Sequence, residues 1–173
     1  RIESESERMS RLVDDMLLLA RLDNRPELTM TEVDLRELVL NATADAQVAG
    51  PEHDWEVDVC EDPLMVAGDA FRLHQVVANL LANARTHTPP GTRVIAGLRR
   101  DGDRAVITVT DNGPGIAPEL QPRVFERFVR ADTSRARKQG QSTGLGLAIV
   151  AAVVQAHGGT VCVRSEPGRT IFE

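Results

Sequence analysis

The stretch Asp111-Asn112-Gly113-Pro114-Gly115-Ile116, DNGPGI, follows directly on AVITVT at 105–110. A run that alternates like a strand ends in a carboxylate, and a Gly-Pro-Gly turn begins at once. Alternation puts Ile107, Val109 and Asp111 on one face, and the two aliphatic residues turn that face toward a core. A carboxylate on a buried face is costly unless a donor answers it. The donor is either a protein group or a ligand.

Working outward, AVITVT and TRVIAGLRR (92–100) flank Asp101-Gly102, a hairpin signal. Residues 113–142 are rich in Gly, Pro, Arg and Gln, with one short helical patch near ELQPRVFERF. So long a segment with little regular structure marks a functional loop or lid. A helix from about 145 to 157 comes next, closed by Gly158-Gly159. TVCVRS and TIFE read as the last strands. Upstream, AFRLHQVVANLLANAR (70–85) reads as a helix capped by Asp69, and 35–49 as a helix capped by Asp34 and stopped by Gly50-Pro51. ELTMTEVDL, WEVDVC and LMVAGD supply further strands. The fold expected is α/β, a two-layer sandwich of a mixed, mainly antiparallel sheet and about three helices.

Residues 2–23 carry an apolar stripe: Ile2, Met9, Leu12, Val13, Met16, Leu19 and Ala20. The spacing suits a bundle seam, and Pro26 separates this helix from the first strand. The reading preferred is a bundle helix that seeks a partner chain, over one that packs on its own domain. The division expected is 1–25 for this helix, 26–33 for a linker and first strand, and 34–173 for the main domain, with a lid at about 116–143.

The 173 residues suffice for one domain with an appendage, and a net charge of −6 speaks against nucleic acid as a partner. Cys60 and Cys162 stand far apart, with no ligand spacing or disulfide framework. No run reaches the ~20 apolar residues of a membrane span, and no signal-peptide pattern is present. The chain starts without Met and stops within a strand-like run, so it reads as a piece of something longer.

Three segments carry chemistry. On the helix at 70–85 and its continuation, Leu73, Val77, Leu80, Leu81 and Ala84 form the apolar face. Asn79, Asn83 and His87 recur every four residues on another face. Asparagine is a mediocre helix former, and its amide oxygen is a hard neutral ligand suited to Mg²⁺. The bland alternative is two solvated amides. In STGLGLAIV (142–150) two glycines open an apolar helix whose N–H groups favour an anion, unless the glycines only serve a tight turn. No Gly-Lys-Ser/Thr comes after them, so this is no P-loop. Ile149 replaces the third glycine of a dinucleotide fingerprint. Between the glycine boxes, residues 123–140 hold Arg123, Arg127, Arg130, Arg135, Arg137 and Lys138 against Glu126 and Asp132, a basic segment in an acidic chain. It is either a phosphate-reading lid or a solvated basic loop.

A buried carboxylate, two glycine turns, an amide pair and a basic lid together describe a nucleotide site. The exocyclic amine of adenine can donate to Asp111, whereas guanine presents a carbonyl there. Losing a buried hydrogen bond to a charged group costs roughly 1.5–3 kcal/mol, so Asp111 selects ATP over GTP.

The order of segments resembles the catalytic ATP-binding domain of bacterial sensor histidine kinases, a Bergerat-type fold. NLLANARTHTP is similar to the N box, DNGPGI to the first glycine box, VFERFVRAD to the F box and TGLGLAIV to the second glycine box. The resemblance covers 34–173. ERMSRLVDDMLLLARLD is similar to the second helix of the dimerisation and phosphotransfer domain, a four-helix bundle in a homodimer. The resemblance implies ATP and Mg²⁺ as cofactors. Asn83 is then the metal ligand with Asn79 assisting, and Asp111 takes the adenine amine. Gly113 and Gly115 let the backbone approach the base, with Ile116 lining the pocket and His87 near the adenine. Arg130 and Arg135 reach phosphates, Thr143, Gly144, Leu145, Gly146 and Leu147 surround them, and Phe125 and Phe128 anchor the lid. It also implies a response regulator as partner and a cytoplasmic position below a membrane anchor lying outside this sequence.

There are departures. Thr86 and His87 stand where the family has Lys or Arg followed by Tyr, and Arg85 lies one position, about 100°, around the helix. The last strand lacks the family's Gly-Thr pair, which leaves the role of Thr170 open. None of His53, His74, His87 and His157 has the acidic and Arg-Thr-Pro context of a phosphoacceptor. The expectation is therefore a chain that binds Mg-ATP and does not phosphorylate itself. The related gyrase, mismatch-repair and chaperone ATPases carry a general-base Glu four residues before the metal-binding Asn. Asn79 occupies that position and is no base, so hydrolysis is expected to be negligible. The alternatives are an anti-sigma-type serine kinase and a nucleotide-binding module without transfer activity.

Overall fold

The computed structural model of the chain describes residues 2–24, 27–129 and 143–173. The elements are α1 (Ile2–Asn24), β1 (Thr31–Asp34), α2 (Leu35–Ala49), β2 (Asp54–Val59), β3 (Met65–Gly68), α3 (Ala70–His87), β4 (Arg93–Asp101), β5 (Arg104–Asp111), α4 (Gly146–Ala156), β6 (Val163–Glu166) and β7 (Arg169–Phe172). A 3₁₀ turn, Gln121–Arg123, falls in the helical patch read from the loop.

Both acidic caps act as the sequence indicates. Asp34 accepts the Arg36 N–H and also the Leu64 N–H, so one carboxylate starts α2 and pins the approach to β3. Asp69 accepts the Arg72 N–H at the start of α3. At the far end of α4, Gly158 adopts φ +73°, and the Gly158 and Gly159 N–H groups donate to the carbonyls of Gln155 and Val154. That pattern terminates a helix.

Five strands form one sheet in the order β2-β4-β5-β7-β6, while β1 and β3 pair in a separate antiparallel ribbon. β2 runs parallel to β4 and the other neighbours are antiparallel, which makes the sheet mixed. One face carries Val94, Ala96 and Leu98 of β4, Val109 of β5 and Phe172 of β7. Against it lie Val39 of α2, Val77, Leu80 and Leu81 of α3 and Ile149, Val150 and Val153 of α4, in one cluster. Burying each such side chain is worth roughly 1.5–3 kcal/mol, so this layer contact is the main source of cohesion. α3 packs on both α2 and α4. The expected α/β sandwich is the one observed.

The first helix departs from expectation. α1 packs on α4, and Leu18 and Leu19 are buried in the common core. Its apolar surface is wider than a single seam. Leu12, Leu18, Leu19 and Leu22 serve the domain, while Met9, Val13, Met16 and Leu17 remain exposed. Sequence spacing merges these two sets into one stripe, so the helix is not the detached element that Pro26 suggests.

Candidate functional site

The carboxylate at the end of β5 is where alternation put it. Asp111 is only 5% exposed and lies on the core face, opposite Thr170 of β7. Its Oδ1 accepts the Gly113 N–H at 2.9 Å. Burial pushes its carboxyl above the usual range, and the Gly113 N–H and the nearby His53 ring pull it part of the way back.

Asp111 lines a small open pocket. α3 contributes Asn83, Ala84 and His87, with Thr88 just beyond it. The turn contributes Pro114, Gly115 and Ile116, and β7 contributes Thr170. Asn83, His87, Asp111, Gly115 and Ile116 are thus brought together as the sequence predicted. Thr88, Pro114 and Thr170 were not on the predicted site. Thr170 shares the core face of β7 with Phe172, a period-two signal that could have flagged it, while Thr88 is the C-cap of α3 and carries no such signal.

The turn owes its glycines to crowding within the protein. A Cβ on Gly113 would lie 2.6 Å from Thr88 Cγ2 and 2.7 Å from Asp111 Oδ1. Gly115 has φ +84°, and a Cβ there would meet the Glu166 carbonyl oxygen at 2.8 Å. The Gly168 N–H donates to the Gly113 carbonyl, and the Ile116 N–H donates to Ser165 Oγ, which in turn bonds Thr170 Oγ1. The turn between β6 and β7 therefore clamps the first glycine box.

The second box lies at the start of α4, and no side chain among the described residues caps that helix. Gly144 has φ +71° and Gly146 is the first helical residue. The Thr143 hydroxyl oxygen accepts the Leu145 N–H at 3.4 Å. Leu145 is fully buried and Leu147 is packed against the core, so near a ligand these two can offer only backbone. Asn79 does not line the pocket. Its Nδ2 donates to the Gly146 carbonyl at 3.2 Å, tying α3 to the glycine box. Arg85 turns the other way and donates to the Ala49 carbonyl.

Of the two expected lid anchors, Phe125 packs edge-on to Phe172 with ring centroids 6.2 Å apart. Phe128 does not anchor: it is 56% exposed, with φ +63°. Its backbone N–H donates to the Gly144 carbonyl, so main chain holds this point. Arg127 beside it pairs with Asp23 of α1. Arg130 and Arg135 lie outside the described residues, as does the lid from 130 to 142.

Comparison with known proteins agrees with this geometry. Residues 68–173 match the family model of histidine kinase-, DNA gyrase B- and HSP90-like ATPases. The chain is 57% identical over 99% of its length to the protein named "Probable sensor histidine kinase TcrY" of Mycobacterium tuberculosis, and covers 36% of that protein. It spans about a third of the length of the curated relatives it matches, 36% and 34% for the first two. Among solved structures, the mycobacterial sensor histidine kinase MprB superposes with a TM-score of 0.73 at 36% identity, covering 82% of this chain and 94% of that one. Full-length ShkA in complex with AMPPNP superposes with a TM-score of 0.78 at 33% identity, covering 97% of this chain and 36% of that one. The match over residues 68–173, with the buried carboxylate and both glycine boxes inside it, places this chain in the histidine kinase-, DNA gyrase B- and HSP90-like ATPase family.

Proposed function

We propose that this chain is the Mg-ATP-binding catalytic domain of a two-component sensor histidine kinase. In the full-length homodimer it would transfer the γ-phosphoryl to a histidine lying outside this sequence, and from there to an aspartate of a response regulator. The observation that carries the reading is Asp111, a buried carboxylate whose Oδ1 is held by the Gly113 N–H at the wall of a pocket. Its second oxygen is available to an amine. Adenine supplies that donor and guanine does not.

The metal reading rests on the donor set. Among the described residues no group of three or more His, Cys, Asp or Glu side chains could hold an ion. A neutral amide at Asn83 is adequate for Mg²⁺ only when phosphates and water complete its shell, which is how a nucleotide carries its metal. Asn79, with its amide nitrogen committed to Gly146, would orient the second glycine box and turn its oxygen toward the same region. Mg²⁺, when bound, would neutralise charge on the phosphates. The protein's own part is positioning: Asp111 and Ile116 would fix the base, and the N-terminus of α4, which no side chain among the described residues caps, would face phosphate oxygens. Asn79 is no base, so water is not activated and hydrolysis stays low. Full-length ShkA, solved in complex with AMPPNP, supports the same ligand class here. Cytoplasmic placement beneath a membrane anchor belongs to the same proposal. No helix among the described residues is long and apolar enough to cross a membrane.

Calorimetric titration with AMPPNP and a GTP analogue, with and without Mg²⁺, tests the reading. Metal-dependent, adenine-selective binding that Asp111→Asn removes supports it. Equal binding of both bases would refute it.

A further inference from the structure

His53 lies in the turn between α2 and β2, outside the family boxes, and its side chain is 2% exposed. Its Nε2 is 3.0 Å from Thr88 Oγ1. The Thr88 hydroxyl donates its own hydrogen to the Ala84 carbonyl at 2.7 Å, so Thr88 can only accept from His53, and Nε2 carries a proton. Thr88 is a pocket wall, and its methyl fills the space that a side chain on Gly113 would take.

The other ring nitrogen is the anomaly. Nδ1 is buried with no hydrogen-bond partner among the described residues, and Glu52 Oε1 lies 3.7 Å from it. In the neutral ring, Nδ1 is an acceptor turned toward an acceptor. In the imidazolium both nitrogens donate, to Thr88 and toward Glu52. The Trp55 ring, 5.7 Å away and tilted by 41°, offers a further cation-stabilising face. Besides Glu52, the ionisable group coupled to this ring is Asp111 on β5, which favours the cation.

We propose that His53 is a positioning residue for the pocket: through Thr88 it holds the end of α3 against the Asp111–Gly113 turn, and in its charged form it strengthens adenine binding at Asp111. This rests on the nucleotide reading above. The carboxylate that must receive the adenine amine is disfavoured as an anion by burial, and a cation behind it restores the anion. By linkage, nucleotide and proton on His53 bind each other's states more tightly. Affinity therefore rises as pH falls, until Asp111 itself is protonated.

The test is calorimetry with Mg²⁺ and AMPPNP at about pH 8 and about pH 6, the span over which histidines change charge. It compares the natural chain with His53→Gln and Thr88→Val. Glutamine at 53 can still donate to Thr88 but carries no charge. The affinity gain from high to low pH should be about fivefold larger in the natural chain than in His53→Gln. The nucleotide's own phosphates titrate alike in both and cancel. Thr88→Val should lose affinity at both pH values. As a readout that needs no variant, the midpoint of the His53 ring-proton NMR titration should move upward when AMPPNP is added. Parallel pH dependences in the natural chain and His53→Gln, or an unmoved midpoint with nucleotide bound, would overturn this inference while leaving the nucleotide site standing. Absence of binding by the natural chain would overturn both.

Discussion

The two glycine boxes look alike in sequence and are built for different reasons. In the first, Gly113 and Gly115 are required by the protein itself, since neighbouring atoms stand 2.6–2.8 Å from where a Cβ would be. In the second, Gly144 owes its glycine to φ +71°, but the nearest atom among the described residues to a Cβ on Gly146 is Asn79 Cγ at 3.8 Å, an ordinary contact. The first box is crowded by its own fold, and at Gly146 the described residues leave room. Glycine content alone does not distinguish a structural turn from a binding cradle; the surrounding atoms do.

Substitutions can break that contrast. Gly115→Ala meets both a positive φ and the Glu166 carbonyl. It should cost at least ~2 kcal/mol of folding stability, read by urea unfolding. Asp111→Asn should weaken Mg-AMPPNP binding by roughly 1.5–3 kcal/mol and at the same time raise the melting temperature of the ligand-free chain at neutral pH. Because burial raises the Asp111 carboxyl above its unfolded value, ionisation disfavours the native state once pH exceeds that raised value. The natural chain gains stability from this group as pH falls through it, and thermal melts across pH should show that segment vanish in Asp111→Asn. Gly146→Ala should leave stability within ~0.5 kcal/mol, on the favourable side for a helix start. Its effect should appear in nucleotide affinity, and an unchanged titration would show that the second box is structural too. The smallest effect is expected for Arg127→Ala. Its pair with Asp23 is solvent-exposed, and such pairs contribute up to ~1 kcal/mol, screened by salt in the same unfolding assay.

How far the sequence was readable depends on the range of each interaction. The caps Asp34 and Asp69 bind within three residues and were legible, as was the alternation that buries Asp111. The apolar face of α3 was read apart from Val76, which is also buried. What failed to show was set by distant partners. Nothing local distinguishes Leu18 and Leu19, which dock on α4, from Met16 and Leu17, which do not. The separate β1–β3 ribbon and the parallel pairing of β2 with β4 depend on which strands meet, not on their composition. Asn79 was read as a metal ligand from helical spacing. Its bond to Gly146 spans 67 positions and could not be foreseen. His53 and Thr88 were missed for the same reason, being 35 positions apart.

The pairing of β5 with β7 has a consequence for biosynthesis. Asp111 faces Thr170, and Val109 faces Phe172, so the floor of the pocket joins segments made some sixty residues apart. Chains emerge from the ribosome N-terminal part first. α3 and the β4–β5 hairpin are thus complete long before the strand that seats Asp111 exists. During that interval the Asp111 carboxylate, held on one side by the Gly113 N–H, faces water beside an unfinished hydrophobic face. The pocket floor is complete only once β7, the last strand made, has paired with β5.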